Sequence, residues 1–320
     1  MKRCLVLVAM AVVLVAACGG GTGQTAKKQV IGVSFPIVEG PWFVAALYGI
    51  VDEAQKNGYD TVILSAGGYQ NVDKQVGQMS DLVQRHVDAI LMAPSDPNAL
   101  APQAVAAKAA GIPVVGTGEV VSSTDGSVTA DHCALGKSMG EGAKKLLPNG
   151  GTMAALKGPA GAFWTETRWK CFMDTLQGSN IQIVAQQSSE PDVAQGLRIA
   201  SDFLQRYPNL NLMYGVDDTV GTGAAQAIQQ ANKCGKVQVV TAILGTEAER
   251  LMKAGCIQYL VAQQVVKIGR NSVDAAIKLL KHQTIPSIEQ IPDIVVTPAN
   301  VSGLDISTIR NPAGWTPTIS

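Results

Sequence analysis

The chain is poor in aromatics and in charge. Aromatic residues make up 5% of its 320 positions, and charged residues 16%. Its 25 basic residues equal its 25 acidic ones. No basic excess exists to displace counterions from phosphates, so nucleic acid is excluded as a partner. No apolar run reaches the roughly 20 residues that span a bilayer. Histidine occurs three times; His86 and His282 stand alone and read as solvated helix-surface residues. There is no Cys-x-x-Cys or His-x-x-x-His spacing, so no zinc site is expected and no cofactor is indicated. Walker A, Gly-x-Ser-x-Gly and His-Glu-x-x-His sequences are missing too. Gly221-Thr222-Gly223 lacks the third glycine of a dinucleotide fingerprint and falls inside a helix pattern. Asp131-His132-Cys133 holds the ingredients of a base and a nucleophile, but neighbours in sequence do not face one another. No enzyme is expected.

What is present starts with an export segment. Lys2 and Arg3 precede an apolar run from Leu5 to Ala17, then Cys18 and a glycine-rich stretch. Residues 1–17 therefore read as a signal peptide. Leu14-Val15-Ala16-Ala17-Cys18 resembles a bacterial lipobox, which implies cleavage before Cys18 and lipidation of its sulfur. Residues 18–29 are then a flexible tether to the membrane. Outside the cytoplasm, Cys133, Cys171, Cys234 and Cys256 suggest up to two disulfides, with three pairings open. Cys133–Cys171 with Cys234–Cys256 is preferred, because Cys234 and Cys256 each precede a predicted strand and would meet at one sheet end.

At 47% hydrophobic residues the mature chain can build a large core, and its length suits two domains. Val30–Phe35 reads as a buried strand, followed by a loop rich in glycine and proline. Trp42 is placed on that loop, and Phe43 opens a helix with Val44, Leu47, Tyr48 and Val51 on one face. Strands at Thr61–Leu64, Ala89–Met92 and Ile112–Val115 alternate with helices. After Val128 the alternation restarts, with strands at Thr152–Leu156, Ile181–Gln186, Leu212–Val216, Val237–Ala242, Ile257–Ala262 and Ile294–Thr297. Helical connections imply parallel strands and right-handed crossovers. Two consecutive βα series imply an α/β fold of two similar doubly wound lobes. Periodicity leaves open where the chain crosses between them.

Ligands of such sheets sit beyond the carboxyl ends of the strands, and the cleft between lobes is the default site. Glu119, Asp217, Asp218 and Gln263 each follow a strand, and Arg168 is placed on the first turn of its helix. An arginine and carboxylates across a cleft bracket hydroxyl groups. The scarcity of aromatics singles out Trp42, Tyr69, Trp164 and Trp169; an aromatic face covers the CH surface of a sugar or polyol, and with carboxylates would instead hold a cation.

Val30–Phe43, VDAILMAPSDPNAL (Val87–Leu100), AGIPVV (Ala110–Val115), VTADHCALGKSMG (Val128–Gly140) and VAQQVVKIGRNSVDAAIKLL (Val261–Leu280) resemble ribose-binding-type periplasmic binding proteins, the type I solute-binding proteins of ABC importers. SAGGYQ (Ser65–Gln70) and NPAGWTP (Asn311–Pro317) resemble, more narrowly, the TorT-like branch that partners a membrane sensor kinase.

The resemblance implies two Rossmann-like lobes joined by a three-segment hinge near Ala130, Gln263 and Ile291, with ligand-driven closure. One lobe would hold residues 30–130 and 264–291, the other 131–263 and 292–320. A monomer is expected. Trp42 and Phe43 match the family's aromatic pair, Arg168 its ligand-binding arginine, Gln263 and Asp131 its hinge residues. Asp217 stands where an asparagine contacts sugar. Departures occur as well. Gly118-Glu119 replaces an Asp-Arg pair, and Ile243 replaces an aspartate, which points away from ribose and toward an open-chain polyol. Of a TorT-like aromatic cage, Trp42 and Tyr69 remain, while His132 takes the place of a tryptophan. The expected ligand contacts are thus Trp42, Phe43, Tyr69, Glu119, Asp131, His132, Trp164, Arg168, Asp217 and Gln263. The expected partner is an ABC permease, or alternatively a sensor kinase.

Overall fold

The computed structural model describes residues 28–320. The signal segment, Cys18 and nearly all of the tether lie outside the described residues. The first series runs β1 (Val30–Phe35), α1 (Pro41–Lys56), β2 (Asp60–Ser65), α2 (Val72–Gln84), β3 (Ala89–Met92), α3 (Pro97–Ala109), β4 (Val114–Gly118) and β5 (Gly126–Thr129). The second runs α4 (His132–Leu146), β6 (Gly151–Leu156), α5 (Phe163–Leu176), β7 (Ile181–Gln187), α6 (Val193–Arg206), β8 (Leu212–Gly215), α7 (Asp218–Gln230), β9 (Gln238–Ala242), α8 (Thr246–Lys253) and β10 (Tyr259–Ala262). Then come α9 (Val265–Leu280), β11 (Ile288–Gln290), β12 (Ile294–Val296) and a 3-10 turn at Val301–Gly303.

These strands form two six-stranded sheets of matching order, β11-β5-β4-β3-β1-β2 and β12-β10-β9-β8-β6-β7. The chain passes from one sheet to the other after β5, after β10 and after β11. Central strands such as β3 and β4 are buried at every position, because helices cover both faces of a parallel sheet. The first lobe's sheet separates a cluster around Ile31, Leu47, Leu91 and Val266 from one around Leu82, Ile90, Leu100 and Val114. A single large cluster around Phe172, Met213, Tyr214 and Leu260 fills the second lobe.

Two strands depart from the expected pattern. β12 runs antiparallel to β10, since the short link from β11 enters the second sheet from its opposite end. β5 lies parallel to β4 with no helix between. Their strands are so short that the loop of residues 119–125 spans the return, at roughly 3.3–3.6 Å per residue. Neither β5 nor β11 was expected, because both are short and polar.

Helix starts also move. α1 begins at Pro41, whose fixed φ suits the first helical position and whose missing N–H costs nothing there; Trp42 is thus on the first turn of a helix, not on a loop. α5 begins at Phe163, which puts Arg168 on its second turn rather than its first. His86 and His282 lie just past helix ends with φ of 53° and 57°, left-handed positions rather than helix surface.

Both preferred disulfides form, Cys133–Cys171 joining α4 to α5 and Cys234–Cys256 preceding β9 and β10. The tail does not stay with the second lobe. Arg310 pairs with Glu249 of α8, but Trp315 packs edge-on against Tyr48 of α1, centroids 5.3 Å apart. Ser320 N–H then donates to Ile63 O of β2 at 2.9 Å. Among the described residues no helix is long and apolar enough to cross a membrane.

Candidate functional site

A cavity lies between the carboxyl ends of the two sheets, with about 60 Å³ open to the centres of water-sized molecules; the cleft between lobes is where a small solute is expected. Trp42, Phe43, Tyr69 and Glu119 line it from the first lobe; His132, Trp164, Arg168 and Asp217 line it from the second. Of the expected ligand contacts, Asp131 and Gln263 are not on the wall. Asp131 caps α4 instead: its Oδ1 accepts from Cys133 N–H and Ala134 N–H, both at 2.9 Å. Gln263, 1% exposed, accepts the Trp42 indole N–H on Oε1 at 2.8 Å.

Trp42 belongs to both lobes at once, packing against the core of each. Its neighbours include Phe43, centroids 5.0 Å away, and Phe35, 6.4 Å away. The indole fits because residue 118 is glycine. Gly118 has φ +83°, and a Cβ there would stand 2.5 Å from Trp42 Cη2. The lobes touch at the mouth as well. Tyr69 meets Trp164 with centroids 6.4 Å apart, and a Cβ on Gly245 would lie 3.0 Å from Pro41 Cγ. This is a closed arrangement.

Arg168, 2% exposed, forms the polar centre. α5 can carry it there because Gly136 of α4 lets the helices approach; a Cβ on Gly136 would sit 2.2 Å from Arg168 O. One Nη donates to Val216 O at 3.0 Å, the other to His132 Nδ1 at 3.3 Å. The guanidinium lies 4.7 Å from the centroid of the Trp164 ring, within cation–π range. Because Nδ1 accepts, His132 is the neutral Nε2–H tautomer, and Nε2 donates to Gly118 O at 3.2 Å. Burial, followed by the charge of Arg168, holds His132 down to about 3. A chain of hydrogen bonds thus runs from the second lobe to the end of β4 in the first.

The carboxyls behave differently from surface acids. Asp217 Oδ1 caps α7, accepting from Thr219 N–H, Thr219 Oγ1–H and Val220 N–H; burial pushes it upward despite those bonds. Burial lifts Glu119 to about 8, with Arg168 opposing and Asp96 adding. Asp293, in the third crossing, is lifted by burial to about 7. Glu119 Oε2, Asp218 Oδ2, Arg168 Nε and Trp164 Nε1 are all buried without a hydrogen-bond partner. Native interiors leave few such atoms, and here they belong to residues that line one cavity.

Sequence reasoning noted Asp218 and Ile243 without placing either among the ligand contacts, yet both line the cavity. Asp218 is the first residue of α7, where an acid reads as a helix-start residue. Ile243 follows β9 with φ +66°, a region that β-branched residues rarely occupy. Its place after a strand was the signal that could have found it. Among the described residues, no group of three or more His, Cys, Asp or Glu is set to hold a metal.

Two matching lobes closed over a buried, unsatisfied polar cluster define a clamp-type solute-binding protein, one that holds a molecule without reacting with it. The chain belongs to the periplasmic binding protein family: the profile of the periplasmic binding protein domain matches residues 31–284. It is similar to the ribose import binding protein RbsB of Bacillus subtilis, 28% identical over 302 residues, covering 91% of this chain and 97% of that protein. It is also similar to the D-allose-binding periplasmic protein of Escherichia coli, 30% identical over 265 residues, 79% of this chain and 85% of that one. Among solved structures, an ABC transporter solute-binding protein from Agrobacterium vitis with bound D-fucose superposes with a TM-score of 0.81 at 26% identity, covering 88% of this chain and 100% of the other. The family is one of binding proteins rather than enzymes, and its periplasmic setting agrees with the export segment.

Proposed function

We propose that the chain is the extracytoplasmic receptor of an ABC importer, held to the membrane by a lipid on Cys18, that captures a sugar or polyol between its lobes and hands it to a permease. One observation carries this reading: Arg168, Glu119 and Asp218, drawn from both lobes, line a cavity walled by Trp42, Phe43 and Tyr69, and each carries a buried polar atom without a hydrogen-bond partner. Aromatic faces cover the CH surface of a sugar, and buried polar groups take its hydroxyls. Asp217 holds the end of α7 in place, and Asp131, His132 and Gln263 act at the crossings, where opening has to occur. The names of the relatives, which speak of ribose, D-allose and D-fucose, support the solute class.

Calorimetric titration of the mature protein with ribose, allose, fucose, myo-inositol and sorbitol tests the reading. Saturable micromolar binding by a member of the panel is expected, together with permease and ATPase genes beside the coding gene. A neighbouring histidine kinase gene with no permease would shift the role from import to sensing. Failure of the whole panel and of its amino-substituted analogues would remove the sugar reading.

A further inference from the structure

Four carboxyl-bearing residues line the cavity, Glu39, Glu119, Asp217 and Asp218, against one guanidinium, that of Arg168. His132 adds no positive charge, because Arg168 donates into its Nδ1. Glu39 is exposed at the mouth. Asp217 is held by the first turn of α7, and its charge, with that of Asp293 off the wall, acts on Arg168. Two acids remain in surplus. Glu119 is 8% exposed and Asp218 3% exposed, and each has a buried side-chain oxygen without a hydrogen-bond partner.

A neutral polyol would supply hydrogen bonds to these two groups but no charge to balance them. Buried carboxylates without a counter-charge are costly, and the group then stays protonated instead. A guest with one ammonium satisfies both needs. It would give charge-assisted hydrogen bonds to the acids and lie against the indole faces of Trp42 and Trp164. Glu119 follows β4 in the first lobe, and Asp218 opens α7 in the second. A cation held by both pulls the lobes together, so recognition and closure become one event.

We propose that the solute is an amino-substituted polyol whose ammonium is held between Glu119 and Asp218. The proposal rests on the reading of the cleft as a sugar or polyol site and narrows it. Burial raises both groups, Glu119 to about 8 and Asp218 well above the usual carboxylate range. Arg168 and Asp96 act on the first, Asp217 and Arg168 on the second. At neutral pH Glu119 is therefore protonated in the empty cleft, and an arriving ammonium displaces that one proton.

The experiment is calorimetry on the mature protein at about pH 7, in two buffers of different ionisation enthalpy. The probes are matched pairs: sorbitol with 1-amino-1-deoxysorbitol, and glucose with glucosamine, with N-acetylglucosamine as an uncharged control. The amino member of a pair is expected to bind at least about tenfold more tightly, with proton release. Glu119→Gln and Asp218→Asn are expected to bring that ratio toward one. Tighter binding of the neutral members overturns the proposal and leaves the sugar reading standing. Binding by neither class overturns both. An amine preference that survives both substitutions overturns the assignment to these two residues. The wild-type ratio decides even if a variant fails to fold.

Discussion

Trp42 donates its indole N–H to the side-chain oxygen of Gln263 at 2.8 Å, although 221 residues separate them in sequence. The donor sits on the first turn of α1; the acceptor sits between β10 and α9, where the chain returns to the first lobe. The cavity wall and the hinge are therefore joined by one bond. Gln263→Leu keeps the bulk and strands the indole N–H, which costs about 1–3 kcal/mol for a buried donor. Gly118→Ala pushes a methyl into the indole and strains a left-handed backbone. Both variants are expected to weaken ligand binding by about tenfold or more and to alter the tryptophan emission of the ligand-free protein. Unchanged affinity in both would mean that the indole is not part of the binding surface.

The buried titratable groups predict how stability of the ligand-free protein depends on pH. Glu119 goes from 4.5 to about 8 on folding, and Asp293 from 3.8 to about 7. Between those limits the folded state binds more protons than the unfolded one, so stability falls as pH rises through the window. His132 goes the other way, from 6.5 to about 3. There the folded state binds fewer protons, and stability is lost as pH falls below about 6.5. The two carboxyls outweigh the imidazole down to about pH 4.5, so urea unfolding is expected to show stability falling as pH rises from about 4.5 to 8, and falling again below about 4.5, where His132 alone still differs. Glu119→Gln should flatten the alkaline side by a few kcal/mol, and His132→Gln the acid side. An alkaline limb that Glu119→Gln leaves unaltered would show that this carboxyl ionises freely in the folded protein.

Close approach of α4 and α5 positions the arginine, and it depends on one missing methyl. Gly136→Ala would place a Cβ 2.2 Å from the backbone oxygen of Arg168, a contact that only helix displacement relieves. The Cys133–Cys171 disulfide ties the same helices and resists that displacement. Overpacking of this kind costs roughly 1–3 kcal/mol. The variant is expected to melt lower and to lose affinity together, since Arg168 and His132 move apart. Gly77, with open space around it, serves as control: Gly77→Ala should leave both properties close to wild type.

The alternation of strands and helices was legible because buried parallel strands read as unbroken apolar runs, AILM in β3 being a clear instance. β5 and β11 were not, because GSVT and IEQ carry little strand preference; pairing with β4 and with each other makes them strands. Glu119 and Asp217 lie where the rule that sites gather at strand ends puts them, while Arg168 reaches the wall from the second turn of α5. Asp131 obeys the same rule yet caps a helix, since an aspartate before a helix serves either purpose. Ile243 shows the converse. Its place after a strand is its one sign in the sequence, and an apolar side chain does not by itself point to a ligand; the left-handed backbone on the cavity wall does.

The C-terminal tail is a further tie between the lobes, and its removal has a definite expected result. Arg310 is paired to Glu249 in the second lobe. Lys267 N–H at the start of α9 donates to Thr308 O at 3.1 Å. Beyond that, Trp315 lies on Tyr48, and Arg270 approaches the same ring with its guanidinium 5.9 Å from the centroid. Ser320 closes the path on β2, where its hydroxyl accepts from Ile63 N–H at 3.4 Å. An aromatic pair adds about 0.5–1.5 kcal/mol beyond the area it covers. Deleting residues 313–320 should therefore lower the melting temperature by several degrees, at about 2–4 °C per kcal/mol for a protein of this size. Because the deleted segment lies on the side of α1 and β2 rather than in the cleft, the cavity wall stays intact. What changes is the freedom to open: small-angle scattering of the ligand-free truncated protein should give a larger radius of gyration than the full chain. Saturating ligand should bring the two together. Identical scattering without ligand would show that the tail stabilises the first lobe alone and places no restraint on the hinge.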